Sequence, residues 1–307
     1  MVIMLNMLNQ NRGSKLVSSL ISEQCDQGLL SQLEVLHSCE EPSQSKKSIL
    51  VIHTLPDDPD VQHLQNHGYK KYNKLVFVSH WQQEQFYLYF GIPYSAGIVM
   101  YDAIDPIPLH SKSNPEKGKI RLMYFNPPER GLDYLYVAFD QLSKEFKNLR
   151  LDVYCDIHEN DKQYVELKKS LKGHSNIVYH ESVSNDKIRS ALEKTHIFAY
   201  PCVWQETSCL SLIEALSAGC YCVHPALGAL KETSLGITQM YSFQDDRQKH
   251  IDNFYVELKK AILLHKHSYD YVKSNTETMK TIADFKYDWS TRKDQWNRLL
   301  ENVLSAG

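Results

Sequence analysis

Two carboxylates, Glu206 and Glu214, flank the segment Thr207-Ser-Cys-Leu-Ser-Leu-Ile213 in this 307-residue chain. Apolar strand-like runs stand on both sides, Ile197-Phe-Ala-Tyr-Pro201 before it and Cys220-Tyr-Cys-Val223 after it. A helix between two strands has a free amino end whose N–H groups attract an anion. Acids beside that end suit a ligand that carries hydroxyls as well as a phosphate. On a continuous helix eight residues span roughly 12 Å, too far for both acids to act on one ligand atom. Contacts to two parts of an extended molecule therefore fit better than an acid/base couple. The bland alternative makes Glu206 a first-turn acid favoured by the helix dipole and leaves Glu214 in solvent. Both readings stay open on these residues alone.

The elements that must position them are legible. Short apolar runs alternate with amphipathic segments, the pattern of an α/β protein. Strands are expected near 2–8, 33–37, 48–54, 75–79 and 98–101, then near 120–125, 149–155, 177–180, 197–202 and 220–224. Leu132, Leu135, Phe139, Leu142 and Phe146 recur at helical spacing after Gly131 and predict one buried stripe. Residues 102–119 hold Pro106, Pro108, Pro115 and Gly118 without periodicity, so they read as a linker between two α/β halves. The stretch 287–304 reads as a last helix with Trp289, Trp296, Leu299, Leu300 and Val303 on one side.

Composition narrows the function. The 34 basic and 37 acidic residues nearly balance, so no strong field draws the chain to nucleic acid. No apolar run approaches the ~18 residues of a membrane span, and the first residues lack the basic head of a signal peptide. Peripheral membrane contact stays compatible with this. Seven cysteines show neither a disulfide-framework spacing nor a Cys-x-x-Cys metal pattern, which points to a reducing, cytoplasmic setting. Asp58-Pro59-Asp60 matches the Asp-x-Asp of metal-dependent sugar transferases, but it sits in a polar proline turn and reads as a loop. No sequence motif pairs Cys209 with a base, and Ser79-His80 lacks a nucleophile elbow.

Glu206-Thr-Ser-Cys-Leu-Ser-Leu-Ile-Glu214-Ala-Leu followed by Ala218-Gly219 resembles the E-x7-E region of retaining GT-B glycosyltransferases, family four in particular. The common form there is Glu-Thr-Phe-Gly-Leu, and this chain carries Ser208 and Cys209 instead. Ile120–Tyr124, the loop Phe125-Asn-Pro-Pro-Glu, and Arg130-Gly131-Leu-Asp133 resemble the strand, loop and helix start that open the family's donor domain. The further Arg that often follows that strand is replaced by Asn126 and Pro127. Lys74–Trp81, Gly91–Pro93 and Val99–Pro106 follow the last strands of the first domain and the crossover. Ile49-Leu-Val-Ile-His53 resembles the strand whose terminal His faces the donor sugar.

The resemblance implies two Rossmann-like domains facing a cleft, with residues 1–105 as a reduced acceptor-side domain. Residues 106–117 would be the linker, 118–285 the donor domain, and 286–307 a helix crossing back to the first domain. It implies a retaining, metal-independent transferase that moves a sugar from a nucleotide-sugar donor to a glycan, lipid or protein acceptor. No cofactor is implied, the nucleotide-sugar being a substrate. Arg130 would neutralise the leaving diphosphate, Glu206 would hold the sugar hydroxyls, and Glu214 the ribose diol. Gly131 and the amides of Thr207, Ser208, Cys209 and Leu210 would line the phosphates, with His53 on the sugar. Gly13 would mark a glycine loop of the acceptor domain, where the family has two adjacent glycines. The short first domain is either reduced or part of a longer reading frame. The rival reading is a non-catalytic relic that binds nucleotide-sugar or glycan.

Overall fold

The computed structural model describes residues 17–110, 112–115, 118–158 and 160–306. The expected first strand at 2–8 and Gly13 lie outside the described residues. The chain forms two compact units. One gathers the described residues of Met1–Asp105 with Thr207–Leu210 and Tyr287–Gly307, the other Pro106–Glu206 with Ser211–Lys286.

The first unit begins with a helix over 17–24 (α1) and a short one, α2 (Gln27–Leu30), capped by the Asp26 carboxylate. Strands β1 (Leu33–His37), β2 (Lys47–Ile52), β3 (Lys74–Phe77) and β4 (Gly97–Val99) form a parallel sheet in sequence order, with α3 (His80–Phe90) between the last two. A parallel strand covered on both faces has no reason to alternate apolar with polar residues, and Ile49-Leu-Val-Ile52 does not. The period-two geometry instead divides the run between two cores. Ile49 and Val51 point to one with Val17 and Ile21 of α1, whereas Leu50 and Ile52 point to another with Leu64, Phe77 and Phe86. The helix at the carboxyl terminus completes the first core with Trp289, Trp296, Leu299, Leu300 and Val303. Asp58 caps a 3-10 helix over Pro59–Leu64 and accepts from the Asp60 N–H at 2.9 Å, so Asp58-Pro59-Asp60 is a turn with its acid engaged.

The second unit carries a six-stranded parallel sheet. Its strands are β5 (Ile120–Tyr124), β6 (Leu149–Tyr154), β7 (Ile177–His180), β8 (Ile197–Ala199), β9 (Tyr221–Pro225) and β10 (Gln239–Tyr241), in the spatial order β10-β9-β8-β5-β6-β7. The crossovers are α4 (Leu132–Glu145), α5 (Lys162–Gly173), α6 (Asn185–Leu192), α7 (Leu210–Ser217) and α8 (Leu230–Thr233). Leu132, Leu135, Phe139 and Leu142 form the buried stripe of α4 that their spacing predicts. The long helix α9 (Arg247–His267) packs against α4, and α10 (Tyr269–Tyr287) follows it. The last helix is α11 (Trp289–Ser305), started by Asp288, which accepts from the Ser290 N–H at 2.8 Å. Two sheets of parallel strands with helical crossovers make this an α/β chain. No helix among the described residues is long and apolar enough to cross a membrane.

Candidate functional site

Three adjacent strands of the second unit, β5, β8 and β9, send their carboxyl-terminal loops to one place, where open α/β sheets hold ligands. The β5 loop ends at Arg130 and Gly131. Gly131 has φ +101°, and a Cβ there would stand 2.2 Å from the carbonyl oxygen of Pro201, the residue that leads out of β8. Only glycine allows that backbone approach. The approach brings Arg130 beside Glu206, and Arg130 Nη1 lies 2.7 Å from Glu206 Oε1. Glu206 also accepts from the Tyr200 hydroxyl at 2.5 Å. The guanidinium lies over the Trp204 ring, 4.6 Å from its centroid.

The third loop fixes the Glu206 backbone. Gly228, with φ +54°, leaves no room for a side chain, since a Cβ would meet the Glu206 N and O at 2.8 Å. The next residue, Ala229, donates its N–H to the Glu206 carbonyl at 2.8 Å. Glu206 is therefore held through both backbone and carboxylate. Its side chain is 14 % exposed and that of Arg130 15 %. Burial works against the Arg130 charge, but the Glu206 carboxylate beside it outweighs that and holds the guanidinium protonated more firmly than usual. Arg130 Nε is buried without a partner.

The helix that begins at Leu210 corrects one expectation. Glu206 lies four residues ahead of α7, in the irregular loop, so the two acids are not eight residues apart on one helix, and Glu206 is no first-turn acid. Glu214, on α7 itself, is buried at 7 % exposure rather than facing solvent. Asn185 Nδ2 donates to Glu214 Oε1 at 3.3 Å, and Arg189 Nη1 lies 3.5 Å from the same oxygen. At the expected place of a second arginine, Asn126 Oδ1 accepts from the Ser211 hydroxyl at 2.7 Å, tying the β5 loop to the first turn of α7. Asn126 Nδ2 is buried without a partner. Cys202, below the Glu206 carboxylate, is a neutral thiol, pushed up to about 12 by burial.

The remaining candidates fall in the first unit. Thr207 Oγ1 donates to the His53 carbonyl at 3.0 Å, and the Thr207 carbonyl accepts from the Ser79 hydroxyl at 2.6 Å. Ser208 bonds the Asp102 carboxyl, whose pKa rises to about 6 because burial outweighs that bond and the Arg292 charge. Cys209 is buried at 2 % exposure. The His53 ring follows the end of β2 and stacks on His37 at 5.9 Å. Burial lowers the His53 pKa to about 4, so the imidazole is neutral near pH 7, and its Nε2 is buried without a partner.

The structure thus joins Arg130, Gly131 and Glu206 in one cluster and adds Tyr200, Trp204 and Gly228, which the motif reading did not single out. Gly228 had a signal in the sequence, a lone glycine just past a strand. Tyr200 and Trp204 had none, because aromatic residues near strand ends are common.

Residues 121–251 match the family model of glycosyl transferases group 1. No curated protein sequence matches the chain. Among solved structures, a glycosyltransferase from Rickettsia africae is similar with a TM-score of 0.69 at 15 % identity, over 97 % of this chain and 82 % of that one. The pneumococcal O-GlcNAc transferase GtfA, solved with UDP and GlcNAc, gives 0.65 at 14 % identity, over 86 % of this chain and 54 % of that one. HepE of Anabaena, solved with UDP and glucose, gives 0.63 at 14 % identity, over 84 % and 72 %. The chain thus spans about half the length of the pneumococcal enzyme.

Proposed function

We propose that this chain, whose residues 121–251 match the model of glycosyl transferases group 1, moves a sugar from a nucleotide-sugar donor to a glycan, lipid or protein acceptor, with retention of configuration and without a metal. The observation that carries the reading is the Arg130–Glu206 pair at the carboxyl ends of β5 and β8. Burying a charge pair is unfavourable unless the pair serves a purpose or is well bonded, and here a free guanidinium N–H remains beside it. In the proposed cycle the donor diphosphate takes Arg130 as a fork-shaped phosphate ligand. Glu206, with Oε1 still anchored by Tyr200, then accepts from the hydroxyls of the donor sugar. Glu214 holds the ribose diol. The reaction is driven by charge stabilisation of the leaving diphosphate, for which Arg130 and the amides of Thr207 to Leu210 are the candidates. His53, neutral, offers a hydrogen bond to the sugar rather than a charge. The neighbours solved with UDP support the donor class, and the family match supports the reaction class.

The test is calorimetry with uridine, guanosine and adenosine diphosphate sugars on the wild type and on Arg130→Met. Saturable binding to one donor that is lost in the variant, with transfer to water or acceptor, upholds the proposal. Binding without any turnover identifies a non-catalytic binding module, and absence of binding to the whole panel overturns the donor assignment.

A further inference from the structure

The donor candidates occupy the carboxyl edge of the second unit's sheet. The amino edge of the same sheet carries a cavity of about 210 Å³, smaller than the roughly 300–1,000 Å³ of drug-sized sites. His196, immediately before β8, and Gly219, shortly before β9, lie in its lining, so it opens at the opposite end of the strands from Glu206. Its floor is aromatic. The His196 and His265 rings meet edge to face at 5.9 Å, and both contact Tyr269. Neither buried imidazole offers charge near pH 7, since burial lowers both to about 4. Each also has its hydrogens placed: His196 Nε2 donates to the Ser113 carbonyl at 2.8 Å, and His265 Nδ1 donates to the Ala261 carbonyl at 2.8 Å. Val272 and Leu109 add apolar wall.

The charge in the cavity comes from lysines. Lys112 Nζ donates to the Gly219 carbonyl at 2.7 Å and lies 3.5 Å from Cys220 Sγ, which fixes the ammonium in place. An ammonium has three donors, and these contacts use two. Neither Lys112 nor Lys273 has a carboxylate within ion-pairing distance among the described residues. Some lysines on helices of this unit are paired, as Lys280 is with Asp284 at 2.5 Å and Lys259 with Glu145 at 2.5 Å. His110 at the rim lies 3.5 Å from Glu193. The one acid in the lining is Glu277. A fixed ammonium with a spare donor, a second lysine without a carboxylate beside it and an aromatic floor together form a receptor for an oxyanion on a small planar or apolar body.

We propose that this cavity binds a small organic oxyanion, a phosphate monoester or a carboxylate, with its anionic group on Lys112 and Lys273 and its body on Tyr269 and His265. The site is separate from the donor cluster and does not depend on the proposed transfer reaction.

The test is isothermal titration of the full chain with phenyl phosphate, benzoate and inorganic phosphate, with phenol as the uncharged control. Saturable binding of either aromatic anion, but not phenol, is expected. Lys112→Met should weaken it by about ten- to a hundredfold, the loss of one charge-assisted hydrogen bond. The exposed Lys273→Met should weaken it by about threefold, and Glu277→Gln should tighten it by a similar factor. Stronger binding of phenyl phosphate identifies a phosphate ester as the natural ligand class, and stronger binding of benzoate a carboxylate. Lys273 and Glu277 anchor no other element, so their variants report even where Lys112→Met is unstable. No saturation by either anion at about 10 mM, or equal affinity in the wild type, Lys273→Met and Glu277→Gln, overturns the site.

Discussion

The Arg130–Glu206 pair can be measured by a double-mutant cycle. Glu206→Gln keeps the Oε1 that both the Tyr200 hydroxyl and Arg130 reach but removes the negative charge beside Arg130, and both side chains are about 85 % buried, being 14 % and 15 % exposed. Breaking a buried pair on one side costs about 3–5 kcal/mol because the remaining charge is stranded. The retained Tyr200 bond and the Trp204 ring bring the expected loss just below that range, to about 2–3 kcal/mol. For a unit of this size that corresponds to a fall of roughly 4–12 °C in the melting midpoint. Arg130→Met strands the Glu206 carboxylate instead, and about 2 kcal/mol is expected because Tyr200 still donates to it. The double variant removes both charges, so its loss should be smaller than the sum by about 2 kcal/mol. Calorimetric melting of the four proteins gives this coupling directly. The cycle is then repeated with saturating nucleoside diphosphate. If phosphate draws Arg130 away from Glu206, the coupling shrinks. Additive single losses, each under about 0.5 kcal/mol, would refute the pair as a structural element. A coupling unchanged by nucleotide would refute Arg130 as the phosphate ligand.

Other outcomes follow from the same geometry. Gly131→Ala forces a Cβ against the Pro201 carbonyl at positive φ, so unit 2 should lose about 2 kcal/mol or more and the Arg130–Glu206 contact with it, read by melting and donor affinity. Gly228→Ala pushes on the Glu206 backbone from the other side and should weaken donor binding more than it lowers the melting midpoint; the opposite order would place Glu206 outside the donor site. His37, His53, His196, His224 and His265 all have pKa values lowered to about 4 by burial. The unfolded chain therefore binds more protons between about pH 6.5 and 4, and stability is full above that window and falls through it as pH drops, by up to about 1.4 kcal/mol per pH unit for each histidine. A melting midpoint that is flat from pH 7 to 4.5 would refute the buried neutral imidazoles. Glu214→Gln should remove the carboxylate 3.5 Å from Arg189 and weaken ribose-dependent donor affinity, measured as the ratio of nucleoside diphosphate to pyrophosphate binding.

Much of this was legible in the sequence because it depends on local pattern. The ten described strands include nine that apolar runs announce, and the α4 stripe follows from three- and four-residue spacing. The tenth, β10, has three residues, Gln239-Met-Tyr241, too few for a period to show. The register of the site was less legible. Helix α7 begins four residues after Glu206, because Thr207 and Ser208 spend their side chains on His53 and Asp102. Nothing within the motif specifies those partners, which lie more than a hundred residues earlier. The Arg130–Glu206 pair is hidden for the same reason. Two residues 76 positions apart meet only because Gly131 has no side chain to hold the loops apart. Glu214 gave a partial signal, since an acid between Ile213 and Ala215 in an apolar helix needs a partner. The identity of that partner required α6.

Trp289, Trp296 and Leu300 of α11 share a core with Ile49, Val51 and Val76. On the ribosome these strands emerge roughly 240 residues before the helix that covers them, at about 5–20 residues per second. One apolar face of the first sheet, packed by α1 and α2 alone, therefore waits for the rest of its cover for roughly ten seconds or more while the whole second unit is made. The second unit can close on itself first, and the first unit is finished by the final helix. Losing the last twenty residues would thus strip an early-made sheet of part of its cover, although it removes none of the residues proposed to touch the donor.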